Sequence, residues 1–190
     1  MKASLRPMGL SITRREALGG AAATLVLASC GGGDDPPRGG GPKPGSGAAL
    51  LGSLLALEHA VVAAYASCEE VLRGDALRTA RAIAEQEREH VARLQGLIRD
   101  LGGDPPAGRS AEEYARTFPR LRDGDDALRF AEDLEQRQVR AYLEALTELP
   151  DLDLRTAAAQ IGADEGAHLG AVRVLQVLPA AQGPFVTGAL

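Results

Sequence analysis

Residues 75–101 read DALRTARAIAEQEREHVARLQGLIRDL, and this stretch decides the fold. It contains no Pro and a single Gly, and its apolar residues recur at intervals of three and four, which is typical of an amphipathic helix. Glu87 and His90 stand three residues apart and therefore share one face of that helix. The stretch predicts a long helix that presents a carboxylate and an imidazole side by side.

The second half of the chain repeats this arrangement. Four pairs of landmarks correspond between the halves: Glu58 with Glu135, Tyr65 with Tyr142, Glu87 with Glu165, and His90 with His168. The offset is 77 residues for the first two pairs and 78 for the last two. A nearly constant offset across four landmarks indicates a duplicated helical hairpin.

The turn signals divide the chain into four long helices. We expect them at about residues 48–72, 75–101, 123–150 and 151–178, with a short helix around 110–117. Gly74 is the expected C-cap of the first helix and Asp75 the N-cap of the second, while either Asp151 or Asp153 caps the fourth. Two short loops and one long connection predict an all-α four-helix bundle of two antiparallel hairpins, with a long crossover between helices 2 and 3.

The candidate site residues fall at one height in this bundle. Glu58 lies 14 residues before the end of its helix at Leu72, or about 21 Å, and Glu87 lies 12 residues after Asp75, or about 18 Å. The second hairpin gives nearly the same heights. Four buried carboxylates would be very costly without compensation, and two divalent cations would supply a matching positive charge.

One Glu from each of two helices, together with a Glu-x-x-His from each of the other two, resembles the ferritin-like carboxylate family. The resemblance covers about residues 48–178 and implies two Fe or Mn ions, with iron favoured. It implies that Glu58 and His90 serve one metal, that Glu135 and His168 serve the other, and that Glu87 and Glu165 bridge them. It also makes Tyr65 and Tyr142 candidate catalytic residues, as hydrogen-bond donors to the carboxylates.

Some assignments stay open at this stage. Glu132 precedes Glu135 by three residues and could join it or replace it as a ligand. His59 lies about 100° around the helix from Glu58 and is interpreted as a flanking or surface residue, although a role in the site is left open. The two tyrosines could be core residues only, and the bundle could descend from a metal protein yet bind no metal. Cys68 is interpreted as a small buried residue.

The first 47 residues are interpreted as an address and a tether. Residues 1–30 have a basic start, a Thr13–Leu18 segment that resembles a twin-arginine motif, and an apolar run too short to span a membrane. Residues 27–30 read LASC and resemble a lipobox, so Cys30 is the expected lipidation site. The Gly- and Pro-rich residues 31–47 are the expected disordered tether, and residues 179–190 the tail. The expected location is the periplasmic or outer side of a membrane.

Composition narrows the function classes. The net charge is −5, and an acidic chain repels a phosphate backbone, so nucleic acid is excluded as a partner. The resemblance implies oxidoreductase chemistry with O₂ or H₂O₂, of the ferroxidase, peroxidase or catalase type. The alternative is a non-enzymatic metal-binding or structural lipoprotein of the envelope. Homodimer formation is left open.

Overall fold

The computed structural model describes residues 46–180. These residues form five helices and no strand: α1 (Ser46–Val71), α2 (Gly74–Asp100), α3 (Ala111–Ala115), α4 (Gly124–Glu148) and α5 (Leu152–Leu175). The predicted all-α fold and the short helix in the crossover are therefore confirmed. The expected export signal, its Cys30, the tether up to residue 45 and the tail from residue 181 lie outside the described residues.

The four long helices pack as two hairpins. Helix α1 lies against α2, and α4 lies against α5, while α1–α4 and α2–α5 contacts join the hairpins into a bundle. The crossover between α2 and α4 carries α3, which packs on α1. This is the predicted arrangement of two antiparallel pairs with one long connection.

Side-chain caps mark three of the helix starts. Oδ1 of Asp123 accepts a hydrogen bond from the Asp126 amide at 2.9 Å, and Oδ1 of Asp151 accepts one from the Asp153 amide at 2.8 Å. Ser110 and Glu113 form a reciprocal capping box on α3. Asp151, rather than Asp153, is therefore the cap of the last long helix.

The prediction that Asp75 caps α2 is wrong. The N-cap position belongs to Arg73, whose side chain makes no capping hydrogen bond. Gly74 has a φ of 58°, a left-handed conformation that suits glycine, and the tight turn it makes starts the helix one residue before Asp75. Asp75 thus lies in the first turn of α2, where its carboxylate pairs with Arg78. There its negative charge also interacts favourably with the positive end of the helix dipole.

The core consists of two apolar clusters with a polar layer between them. One cluster contains Leu51, Leu55, Leu94, Ile98, Ala145, Leu149, Leu154 and Ile161 among others. The second contains Val61, Cys68, Leu72, Ile83, Ala84, Ala131, Leu134 and Val172 among others. Along every long helix, the buried polar residues fall between the residues that enter the two clusters, so the polar layer crosses the bundle at mid-height.

Two further observations concern α1. The helical residues Gly47–Val71 include an 18-residue stretch with a mean hydropathy of 1.7, so by length and composition this helix would be able to cross a membrane. In the bundle, the same helix packs on three others and buries Glu58 completely. Cys68 is also buried, and burial raises the pKa of its thiol to about 12, which agrees with its interpretation as a small core residue.

Candidate metal centre

Six side chains meet in the polar layer, and all four long helices contribute. Helix α1 supplies Glu58, α4 supplies Glu135, and α2 and α5 each supply a Glu-x-x-His pair: Glu87 with His90, and Glu165 with His168. The four glutamates are 0% exposed, and the histidines are 6% and 4% exposed. The structure therefore brings together all six residues that the sequence predicted as candidate ligands.

Their ligand atoms form two groups. The Glu58–His90 position consists of Glu58, Glu87, His90 and Glu165. The Glu135–His168 position consists of Glu87, Glu135, Glu165 and His168. Within each group, one ligand atom per residue lies within 4.8 Å of all the others, a spacing in which one cation could touch four donors. Glu87 and Glu165 belong to both groups, so the two positions share two carboxylates.

The imidazoles face the glutamates through Nδ1. Nδ1 of His90 lies 3.1 Å from Oε1 of Glu165 and 3.3 Å from Oε2 of Glu87. Nδ1 of His168 lies 3.1 Å from Oε1 of Glu87 and 3.4 Å from Oε2 of Glu165. The two imidazole rings are stacked with their centroids 5.9 Å apart. Each shared carboxylate therefore has one oxygen near each ring.

The outer nitrogen of each ring meets a residue that sequence reasoning missed. Nε2 of His168 lies 2.6 Å from Oε1 of Gln86, and Nε2 of His90 lies 3.5 Å from Oδ2 of Asp164. Gln86 and Asp164 each precede a shared glutamate by one residue, so each reaches the histidine of the opposite hairpin. The constant 78-residue offset between them was the available signal.

The tyrosines also act across the hairpins. The Tyr65 hydroxyl donates to Oε1 of Glu135, and the Tyr142 hydroxyl donates to Oε1 of Glu58. Oε2 of each acceptor then faces the nearer histidine, 3.7 Å from Nδ1 of His168 and 3.9 Å from Nδ1 of His90. Burial, and then the adjacent glutamate, raises the pKa of both phenols, which keeps them as donors.

Gln138 was also missed by sequence reasoning, and unlike Gln86 and Asp164 it contacts the glutamates rather than the histidines. It is 0% exposed and lies one helical turn after Glu135. Its Nε2 donates to Oε2 of Glu58 at 3.0 Å and lies 3.4 Å from Oε2 of Glu87. The three-residue spacing from Glu135 places it on the same face of α4, and that spacing was the signal available in the sequence.

Burial and mutual repulsion set the protonation of the outer glutamates. Burial raises the pKa of Glu58 and of Glu135 well above 4.5, and the charges of Glu165 and Glu87 raise both further. These two carboxyls therefore tend to hold protons in the metal-free molecule, since four adjacent carboxylates cannot all ionise in a dry site.

The histidines and Glu87 behave in the opposite way. Burial opposes charge on the imidazoles, but interactions with Glu165 and Glu87 outweigh it and raise the pKa of His90 to about 11 and of His168 to about 10. Burial also acts to raise the pKa of Glu87, yet the hydrogen bonds with His168 and His90 lower it to about 2. Imidazolium–carboxylate pairs thus hold the centre together without metal.

Packing places Glu132 and His59 outside both ligand groups. The carboxylate of Glu132 pairs with Arg173 and accepts a hydrogen bond from Nε2 of Gln176 at 2.8 Å, away from both ligand groups. His59 is half-buried beneath the crossover, where its ring lies against Gly108, and it too belongs to neither group.

The donor set fits two divalent cations. Both carboxylate oxygens of Glu165 and Oε2 of Glu135 are buried and accept no hydrogen bond from any described residue; only ion-pair contacts of 3.1–3.7 Å with the histidine Nδ1 atoms reach them. Such orphaned oxygens are costly, and a bound cation would satisfy them. Carboxylate and imidazole ligands suit Fe and Mn, and two ions would balance the charge of four carboxylates.

Comparison with known proteins agrees with this geometry. The family model described as Ferritin-like domain matches residues 46–177, more than half of the chain. The crystal structure of a conserved hypothetical protein from Mycobacterium tuberculosis is similar in fold, with a TM-score of 0.63 and 19% identity over 75% of this chain and 99% of that one. No curated protein matches the sequence.

Proposed function

The chain belongs to the ferritin-like domain family, and from that premise we propose that it is a di-metal carboxylate oxidoreductase that reacts with O₂ or peroxide, with iron in both positions. One observation carries this proposal. The two ligand groups share Glu87 and Glu165, so two cations would be held by common carboxylates in a buried layer. Two redox-active ions held there would together supply two electrons to one molecule of O₂ or peroxide.

Each side chain has a distinct task in this proposal. Glu58 and His90 would hold one ion, Glu135 and His168 would hold the other, and Glu87 and Glu165 are available to both. Tyr65 and Tyr142 fix Oε1 of the outer glutamates, so that Oε2 is the oxygen left to face the centre. The apolar clusters above and below keep bulk water out of the layer.

The proposal is tested by loading the purified protein with Fe(II) without oxygen and then mixing it with O₂ or with H₂O₂. Oxidation of bound iron is followed by absorbance in the near ultraviolet. We expect two ions per chain and rapid oxidation in the wild type. The variant Glu87→Ala/Glu165→Ala is expected to bind little iron and to oxidise it no faster than buffer does.

A matched control removes two exposed glutamates of α2, the helix that carries Glu87. Glu85→Ala/Glu89→Ala changes the net charge by the same amount but touches neither ligand group, so it should behave as the wild type does. Equal iron binding by the wild type and the Glu87/Glu165 variant would refute the site. Iron bound without oxidation or turnover would favour the non-enzymatic metal-binding alternative.

We also propose that the mature chain is an exported lipoprotein anchored through Cys30, as the lipobox-like residues 27–30 suggest. The bundle would then hold its metals outside the membrane, at the end of the tether. Incorporation of labelled palmitate by producing cells tests this proposal. Labelling of the wild type and loss of label in Cys30→Ser are expected, and an unlabelled wild type would contradict the anchor.

A further inference from the structure

The internal duplication allows each half of the centre to be compared with the other. The two outer glutamates, the two shared glutamates, the two histidines and the two tyrosines are matched pairs of identical residues. The match fails at Gln138. At the same 77-residue offset, its counterpart on α1 is Val61, which is also 0% exposed but belongs to an apolar cluster. The pseudo-symmetric centre therefore has a buried amide on one side only.

Gln138 lies on the Glu58–His90 side of the centre. Glu87 is shared by both positions, but Gln138 meets its Oε2, the oxygen that faces His90, whereas Oε1 faces His168. Nε2 of Gln138 lies 3.0 Å from Oε2 of Glu58 and 3.4 Å from Oε2 of Glu87, so one amide group holds two oxygens of the Glu58–His90 position. Once both groups are ionised to receive a cation they repel each other in a dry environment, and the amide hydrogens offset part of that repulsion. On the opposite side, Oε2 of Glu135 accepts no hydrogen bond from any described residue.

We propose that Gln138 is a positioning residue that makes the two metal positions unequal, an inference that rests on the proposed function. The Glu58–His90 position then binds a divalent cation first and more tightly. The amide orients Glu58 and Glu87 before the cation arrives, which lowers the cost of assembling that position. Groups that orient metal ligands are typically worth roughly 10- to 100-fold in affinity.

A second difference lies behind the histidines but has less weight. Asp164 faces His90, whereas its counterpart Gln86 faces His168. The Asp164 side chain is 62% exposed, so solvent screens its charge. Gln138 is fully buried and contacts the ligands Glu58 and Glu87 directly. The difference in affinity between the two metal positions is therefore assigned to Gln138.

The test is an anaerobic titration of the whole protein with Co(II) as the probe. Calorimetry and the visible absorption of the bound ion monitor the titration. The wild type should bind two ions in two steps that differ at least about tenfold in affinity. Gln138→Leu should weaken the first step toward the second. Gln136→Leu is the matched control, because Gln136 is a buried amide on the same helix that belongs to neither ligand group, and it should keep both steps.

Single-position backgrounds assign the effect to a side. His168→Ala leaves the Glu58–His90 position, and there Gln138→Leu should weaken Co(II) binding by roughly 10-fold or more. His90→Ala leaves the other position, where Glu87 is the one ligand that Gln138 touches, and there the same substitution should weaken binding clearly less. A general loss of structure would weaken both backgrounds alike, so this comparison separates positioning from folding.

The possible failures are distinguishable. Two equal steps in the wild type, or an equal effect of Gln138→Leu in both backgrounds, would overturn the inference and leave the proposed function standing. A wild type that binds no more Co(II) than Glu87→Ala/Glu165→Ala would overturn the di-metal function itself.

Discussion

The hydroxyl of Tyr142 on α4 donates a hydrogen bond to Oε1 of Glu58 on α1, which joins the two hairpins at the height of the centre. The Tyr65–Glu135 bond does the same in the reverse direction. Each hairpin thus positions the outer glutamate of the other, so neither half of the site is complete without its partner hairpin.

Removal of one phenol should therefore weaken both the fold and one metal position. Tyr142→Phe is expected to lower the free energy of unfolding of the metal-free protein by about 1–3 kcal/mol, because a buried carboxyl loses its donor. Urea denaturation measures this loss. Tyr114→Phe removes a hydroxyl outside the centre, where it only accepts a 3.3 Å bond from the Arg109 amide, and should cost less. Equal losses in the two variants would contradict the assigned role.

Replacement of the outer glutamates should stabilise the metal-free protein and abolish two-metal binding. The folded-state pKa of Glu58 and Glu135 lies well above 4.5, so above that pH ionisation favours the unfolded chain. Each unit of such a shift corresponds to about 1.4 kcal/mol. Glu58→Gln/Glu135→Gln removes this penalty while keeping an oxygen for each tyrosine. Thermal denaturation at pH 8 should show a higher Tm than the wild type; a lower Tm would argue against the penalty.

The metal-free wild type should lose stability as the pH rises. The pKa of His90 is raised to about 11 and that of His168 to about 10. Their contribution to the free energy of unfolding is therefore complete below pH 6.5 and is lost as the pH rises from there through 10–11. The outer glutamates act in the same direction above pH 4.5. Glu87, with its pKa lowered to about 2, contributes above pH 4.5 and loses its contribution as the pH falls through 2. Urea denaturation from pH 3 to 9 should therefore show a maximum near pH 5–6. A maximum at pH 8 or above would contradict these shifts.

Metal binding should release protons and tighten with pH. A cation requires neutral imidazoles and ionised carboxylates, whereas the metal-free centre holds protons on both histidines and tends to hold them on the outer glutamates. Each released proton raises affinity about tenfold per pH unit. Calorimetry in buffers of different ionisation enthalpy counts the protons. No net release at pH 7 would show that the centre is already deprotonated before metal arrives.

Two glycines of α5 should respond in opposite ways to a methyl group. A Cβ on Gly162 would lie 2.9 Å from Cβ of Tyr142, whereas one on Gly166 meets nothing within 4 Å. Gly162→Ala should push Tyr142 away from Glu58 and destabilise the bundle by about 1–3 kcal/mol. Gly166→Ala should stabilise it by up to about 1 kcal/mol through helix propensity. Chemical denaturation of both variants measures the contrast, and similar values would contradict the close packing at Gly162.

The sequence by itself determined the helices, their pairing and the identity of the cluster. Helical periodicity and capping are short-range properties, and a three-residue spacing places Glu87 beside His90 in any α-helix. The constant offset between the halves then predicted which residues of distant helices share one height. For these features, local geometry and chain symmetry were sufficient.

Only the tertiary structure decided which neighbouring side chains complete the centre. Glu132 and Glu135 stand three residues apart, on nearly the same face, and the choice between them depends on how α4 and α5 pack. Arg173 forms an ion pair with Glu132, whereas His168 lies at the height of Glu135. The amide of Gln138 reaches Glu58 for the same reason. Spacing along a helix does not specify the rotation and height of one helix against another, because those are set by the packing of all four together.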